Sequence, residues 1–142
     1  MNLEEIKQIL PHREPMLLIE EVYPDAENEN KAVAYYTVKG DEYFLQGHFP
    51  GNPIVPGVIQ CEMMAQASCI LLKDKFSDDV VPLYTGLNNV KFKGQIKPGD
   101  KIQMDVELVQ SREPFHFLKG KLLVDGKLCM KGEISVAIVP KN

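Results

Sequence analysis

One segment of the chain, residues 58–72, is apolar on almost every side when it is drawn as a helix. A helix that is hydrophobic around its circumference is normally buried on most sides. Pro56 suits the first turn of such a helix, and Gly57 suits a tight entry into it. The pattern therefore predicts one long buried helix in the middle of the chain.

A shorter helix is predicted at the start, over residues 2–10, where Leu3, Ile6, Ile9 and Leu10 share a face. Asn2 can cap this helix, with Glu5 in the capping-box position three residues later. Pro11 ends it.

Strand-like runs account for most of the remaining chain. They cover residues 16–22, 31–39, 82–92, 101–111, 115–124 and 127–139, and a polar turn spans residues 24–31. Turn signals separate the later runs, and Asp125-Gly126 is a strong hairpin marker. Because most strands follow the long helix instead of alternating with helices, we predict a single α+β domain over residues 1–142. Its antiparallel sheet wraps around the central buried helix.

Composition narrows the possible functions. The 142 residues are 44% hydrophobic and 25% charged, and the formal net charge of −4 argues against a general nucleic-acid binder. Three cysteines without paired spacing do not make a disulfide framework. The acidic start and the lack of an apolar stretch long enough to span a bilayer predict a cytoplasmic protein that is not bound to a membrane.

The candidate chemistry lies around a loop rich in proline and glycine, residues 48–57, which leads into the central helix. Proline fixes the backbone and glycine admits close approach, so this loop holds His48 rigidly. Glu62 follows in the second turn of the helix, and Gln66 lies one turn further on the same face. A histidine base facing a carboxylic acid is a plausible acid–base pair.

The start of the helix adds a third component, because backbone N–H groups there can bind a developing oxyanion. A base, an acid and an oxyanion donor at Gly57 suit proton abstraction beside a carbonyl followed by elimination. His116, in a strand pattern, and His12, at the end of the first helix, are interpreted as structural residues. No histidine, cysteine or carboxylate set has the spacing of a metal site.

The chain closely resembles the bacterial 3-hydroxyacyl-acyl carrier protein dehydratases of the FabZ type, which have a hot-dog fold. The resemblance runs nearly end to end. It is carried by Leu10-Pro11-His12-Arg13, Gln46-Gly47-His48-Phe49-Pro50-Gly51, Pro56-Gly57, Glu62-Met63-Met64-Ala65-Gln66, Lys91-Phe92 and Pro98-Gly99-Asp100. Tyr43, Leu45 and Asn88-Asn89 depart from the family pattern.

The resemblance implies that His48 removes the C2 proton of a (3R)-hydroxyacyl thioester while Glu62 helps the 3-hydroxyl to leave as water. It also implies that the Gly57 N–H polarises the thioester carbonyl and that Gln66 orients Glu62. The two catalytic side chains are expected to meet across a homodimer interface, with dimers assembling as a trimer of dimers. The implied partner is an acyl carrier protein, and no metal or organic cofactor is implied.

Two other functions remain open at this point. An acyl thioesterase on the same fold would use a carboxylate to direct water at the thioester, but it would leave His48 without a role. A non-catalytic acyl-binding module would be expected to lack His48 or Glu62, and both are present. Lys91, Lys93 and Lys97 form a basic cluster that could meet an acidic carrier protein or be an ordinary solvated strand face.

Overall fold

A computed structural model describes residues 1–46 and 51–141 of the chain. Residues 47–50, which include His48, lie outside the described residues, as does residue 142. Within the described ranges, the regular structure consists of two α-helices, six strands and two short 3-10 helices. They are α1 (Leu3–Ile9), β1 (Glu21–Pro24), β2 (Lys31–Thr37), a 3-10 helix (Tyr43–Leu45), α2 (Gly57–Ile70), a second 3-10 helix (Lys73–Lys75), β3 (Val80–Phe92), β4 (Lys101–Arg112), β5 (Phe115–Val124) and β6 (Lys127–Pro140).

The six strands form one antiparallel sheet in the order β1-β2-β4-β5-β6-β3. In-register neighbours such as Met104, Leu122 and Met130 share its buried face. The hairpin between β5 and β6 turns at Asp125 and Gly126, whose φ angles of 50° and 77° match the turn that this dipeptide predicts. The predicted α+β architecture with an antiparallel sheet is confirmed.

Helix α2 is the centre of the core, as its apolar circumference predicted. Ten of its 14 residues are buried, including Met63 and Met64, and it packs against β4, β5, β2 and β6. Gly120 on β5 allows the sheet to approach closely, because a Cβ at that position would lie 2.8 Å from Met64 Cγ. The side chains of α2 are therefore held by the sheet, and a polar group on this helix has a fixed environment.

The first helix is also confirmed, with Asn2 as its N-cap. The Asn2 side chain accepts from the Glu5 backbone N–H at 3.0 Å, and the Glu5 carboxylate accepts from the Asn2 N–H at 3.2 Å. These are the two bonds of a capping box.

The predicted strand over residues 16–22 is wrong for most of its length, because β1 begins only at Glu21. Leu17, Leu18 and Ile19 are buried one after another, instead of alternating between two faces as strand residues do. The Leu18 N–H donates to the Gln66 side chain at 2.8 Å and not to a strand. The segment therefore crosses the core against α2 before the chain joins the sheet.

Cys61, Cys69 and Cys129 are all buried and free. Among the described residues, no helix combines the length and the apolar character needed to cross a membrane.

Candidate active site

Glu62 lies in the second turn of α2, where the helix faces the edge of the sheet. The neighbouring helix residues Cys61 and Met63 are buried, whereas the Glu62 side chain keeps 18% of its surface exposed. A carboxylate in such a position needs hydrogen-bond donors to offset the water that it has lost. Both of its oxygens have such donors.

Gln66, one turn further along α2, fixes one of these oxygens. Its Nε2 donates to Glu62 Oε2 at 2.8 Å and to the Met16 carbonyl at 2.6 Å. Its Oε1 accepts from the Leu18 N–H at 2.8 Å. The amide thus uses both N–H groups and its oxygen, and it joins Glu62 to the segment that crosses the core.

Tyr84 on β3 binds the other oxygen. Its hydroxyl donates to Glu62 Oε1 at 2.5 Å. Burial, the hydrogen bond to Glu62 and the charge of Glu62 raise the pKa of Tyr84 far above its ordinary value. The phenol therefore stays protonated at physiological pH. No pattern in the sequence indicates this contact, because it depends on how β3 is placed beside α2.

His12 also belongs to this site. Its Nε2 lies 3.5 Å from Glu62 Oε2. Burial lowers the pKa of His12, and this effect outweighs the attraction of Glu62, which acts in the opposite direction. The interpretation of His12 as a purely structural residue rested on the lack of an acid nearby in the sequence. The fold supplies that acid from a helix 50 residues away.

Arg13 holds the backbone that carries His12. Its guanidinium donates to the carbonyls of Leu10 at 2.8 Å, His12 at 2.7 Å and Lys7 at 3.0 Å. These three bonds tie the chain to the end of α1, so the position of His12 is set by the fold. In the Leu10-Pro11-His12-Arg13 motif, the arginine thus fixes the backbone that places His12 beside Glu62.

Gly57 is the first residue of α2, with Pro56 as the N-cap and not, as expected, in the first turn. The first N–H groups of a helix have no partner within the helix. The Phe92 ring lies against Gly57, because a Cβ at position 57 would be 2.9 Å from Phe92 Cζ. The helix start therefore has no side chain at Gly57 and is bordered by the Phe92 ring.

His116 lies in another part of the molecule, in agreement with its interpretation as structural. It is fully buried in β5, and its Nδ1 is 2.8 Å from Ser111 Oγ. Its Nε2 lies 3.5 Å from Glu113 Oε2, and Glu113 is paired with Lys75 at 2.6 Å. This group ties the hairpin between β4 and β5 to the segment after α2.

The residues brought together are therefore Glu62, Gln66, His12 and Tyr84, with Gly57 five residues before Glu62 on the same helix. Such a carboxyl group can exchange a proton with a substrate, and the helix start can bind an oxyanion. Residues 1–46 and 51–141 contain no group of three or more His, Cys, Asp or Glu that could hold a metal ion.

Comparison with known proteins identifies similar sequences and folds. Residues 10–133 match the family model described as a FabA-like domain. The chain is 44% identical over 138 residues to the 3-hydroxyacyl-[acyl-carrier-protein] dehydratase FabZ of Petrotoga mobilis, covering 97% of this chain and 98% of that protein. It is 40% identical to the FabZ of Syntrophotalea carbinolica, covering 100% and 99% of the two chains.

A solved structure shares the fold. The dehydratase heterocomplex ApeI:P from Xenorhabdus doucetiae matches with a TM-score of 0.80 and 24% identity, over 96% of this chain and 91% of that chain. At this identity the likeness supports the hot-dog fold alone.

Proposed function

Because the chain belongs to the FabA-like family, and within it to the FabZ-type 3-hydroxyacyl-[acyl-carrier-protein] dehydratases, we propose that His48 and Glu62 eliminate water from a (3R)-hydroxyacyl chain. The product is the trans-2-enoyl thioester, and the reaction is a step of fatty acid biosynthesis. The observation that carries this proposal is the Glu62 carboxyl group, held by three side chains on a buried helix whose first residue is Gly57.

In this mechanism, His48 takes the C2 proton of the thioester while the Gly57 N–H binds the carbonyl oxygen as negative charge develops on it. Glu62 gives its proton to the 3-hydroxyl, the C3–O bond breaks, and water leaves. Histidine is then protonated and Glu62 is a carboxylate. Transfer of the proton from His48 to Glu62 restores the starting state, so protons and electrons balance over the cycle. Gln66 orients Glu62 throughout.

We propose a homodimer built on strand β3. The sheet ends in β1, which has only four residues, and in β3, which has 13. Leu83, Leu87 and Phe92 on β3 are each exposed by 44% or more, and Val58 at the start of α2 is 77% exposed. A long apolar edge strand invites pairing with another strand. A second copy, related by a twofold axis, would cover it.

A dimer also fits the place of the site. A depression of about 610 Å³ lies on the outer face of the sheet, but neither Glu62, Gln66 nor His12 lines it. Tyr84 of β3 contacts Glu62, so β3 runs beside the site. A second copy that pairs with β3 would therefore complete a cleft over Glu62. This geometry supports the expectation that His48 and Glu62 meet across the interface. Assembly as a trimer of dimers stays a prediction.

The basic cluster Lys91, Lys93 and Lys97 is a proposed contact for the acyl carrier protein. All three lysines are exposed, and two of them flank Phe92, whose ring borders Gly57. Positive charge beside the site would steer an acidic carrier towards it. A cytoplasmic location stays a prediction.

The test is to follow enoyl formation and free thiol release from a short (3R)-hydroxyacyl-carrier protein. We expect the wild-type protein to form enoyl thioester without releasing thiol. His48→Ala and Glu62→Gln should each reduce turnover by about 10²- to 10⁴-fold. Glu21→Gln is the matched control, because Glu21 also accepts from a tyrosine hydroxyl, at 2.7 Å, but far along the chain on β1. Thiol release would identify a thioesterase, and binding without turnover would identify an acyl-binding module.

Mixing the two inactive variants tests the shared site. In a mixed dimer with sites in trans, one site has an intact His48 and Glu62 and the other has neither. Random association should therefore restore about a quarter of wild-type turnover. Sites contained within one subunit would restore none.

A further inference from the structure

The two oxygens of the Glu62 carboxylate are held in different ways. Oε2 accepts from Gln66 Nε2 at 2.8 Å, and the same amide is bound to the Met16 carbonyl and the Leu18 N–H. Gln66 is buried, so this donor cannot move without breaking all three bonds. Oε2 is the fixed oxygen.

Oε1 accepts from the Tyr84 hydroxyl at 2.5 Å. Tyr84 comes from an edge strand, keeps 46% of its surface exposed, and makes this bond at the tip of a rotatable side chain. Oε1 is therefore the oxygen whose partner can be exchanged for a ligand.

The position of the acid proton follows from these contacts. Oε2 faces the N–H of Gln66, which is a donor and cannot accept a proton. His12 Nε2 can accept one but lies 3.5 Å from Oε2, whereas the Tyr84 oxygen lies 2.5 Å from Oε1 and makes the better acceptor. The protonated form of Glu62 therefore carries its proton on Oε1. A hydroxyl both donates and accepts, so Tyr84 can donate to Oε1 of the carboxylate and accept from the Oε1–H of the acid.

We propose that Tyr84 is a positioning residue that holds Oε1 of Glu62 in the free enzyme and gives way to the 3-hydroxyl of the substrate. This inference rests on the proposed dehydratase function. The Oε1–H bond can be directed at the Tyr84 oxygen or at the substrate hydroxyl, but not at both. Tyr84 thus orients the acid between turnovers and competes with the substrate for it.

The two roles predict opposite effects of Tyr84→Phe. Without the hydroxyl, Oε1 is less well oriented, and we expect kcat to fall about tenfold. The substrate no longer has to replace a hydrogen bond, so KM should fall by about three- to tenfold. The quotient kcat/KM should then change little, whereas a structural defect would lower kcat without improving binding.

Binding without turnover gives the second readout. In the His48→Ala background, adding Tyr84→Phe should tighten the Kd for (3R)-hydroxyacyl-carrier protein by about three- to tenfold. The Kd for the saturated acyl-carrier protein, which lacks the 3-hydroxyl, should not change. Unchanged or weaker binding of the hydroxyacyl form, or equal tightening for both ligands, would overturn the proposal.

Tyr23→Phe is the matched control variant. Tyr23 donates to Glu21 Oε2 at 2.7 Å on β1, so this change also removes a tyrosine–carboxylate hydrogen bond. It should leave kcat, KM and both Kd values unchanged. If the wild type turns over and Tyr84→Phe has the same kinetics, the role of Tyr84 is refuted and the proposed dehydratase function is not. A wild type without turnover would instead refute the proposed function, and the two binding measurements would still decide the competition.

Discussion

Two buried glutamines on α2, Gln66 and Gln60, allow a sharp comparison of how much the polar network around the site contributes to stability. Each can be replaced by methionine, which has a similar length and no hydrogen-bonding amide. Both side chains are almost fully buried, at 1% and 4% exposure. The two variants therefore bury a similar amount of additional apolar surface. The difference between their free energies of unfolding reports on the hydrogen bonds that each one loses.

Gln66→Met removes three hydrogen bonds. The N–H of Leu18, a residue with 1% exposure, loses its acceptor, which costs about 1–3 kcal/mol when no replacement is available. Met16 is more exposed, so its carbonyl can bind water, and Glu62 loses one of its donors. Together these losses should lower the free energy of unfolding by about 2–4 kcal/mol.

Gln60→Met removes one bond, the donation from Gln60 Nε2 to the Val55 carbonyl at 3.2 Å. Within the described part of the chain, Gln60 Oε1 is buried without a hydrogen-bond partner. Removing this unpaired oxygen stabilises the protein by about as much as losing the bond to Val55 destabilises it. The free energy of unfolding should therefore change by less than about 1 kcal/mol.

Denaturant unfolding at one fixed protein concentration measures both values, because the stability of the proposed dimer would depend on concentration. In parallel, Gln66→Met should reduce kcat by about ten- to 100-fold because Oε2 of Glu62 is no longer fixed, and Gln60→Met should change it by less than about twofold. Equal unfolding free energies for the two variants, or full activity in Gln66→Met, would refute this account of the network.

Two further predictions concern the helix start and the buried histidine. Gly57→Ala places a Cβ 2.9 Å from Phe92 Cζ, and because that ring is 53% exposed it can move outward. We expect less than about 1 kcal/mol of destabilisation but about a tenfold loss of kcat, and adding Phe92→Leu should restore unfolding stability without restoring turnover. Burial lowers the pKa of His116 from 6.5, an effect that Glu113 opposes. The unfolded chain then binds more protons, so the free energy of unfolding should decline as pH falls below about 6.5, and less so in His116→Gln.

Patterns within short stretches of sequence were sufficient to predict the elements whose structure depends on neighbouring residues. The apolar run over residues 58–72 predicted the buried helix, Asn2 and Glu5 predicted the capping box, and Asp125-Gly126 predicted the hairpin. The strand predicted over residues 16–22 failed because its backbone N–H at Leu18 is bound by a side chain 48 residues away. The hydrophobic pattern within the segment cannot indicate a partner so distant in the sequence.

The same distinction explains which site residues could be found from the sequence. Glu62 and Gln66 are one helical turn apart, so their proximity follows from the helix alone. His12 and Tyr84 reach Glu62 from other elements, and their places depend on the path of the chain after α1 and on the position of β3. The Leu10-Pro11-His12-Arg13 motif was the available sequence signal for His12. Tyr84 had none.

Strand β3 unites two requirements of the proposed enzyme, and this affects how each can be tested. It carries the apolar edge assigned to the dimer and also the hydroxyl that holds Oε1 of Glu62. A substitution that breaks the dimer through Leu83 or Leu87 would also disturb Tyr84, so a resulting loss of turnover would have two causes. Mixed dimers of His48→Ala and Glu62→Gln leave β3 unaltered. Recovered turnover in that mixture therefore reports only whether the base and the acid come from different subunits.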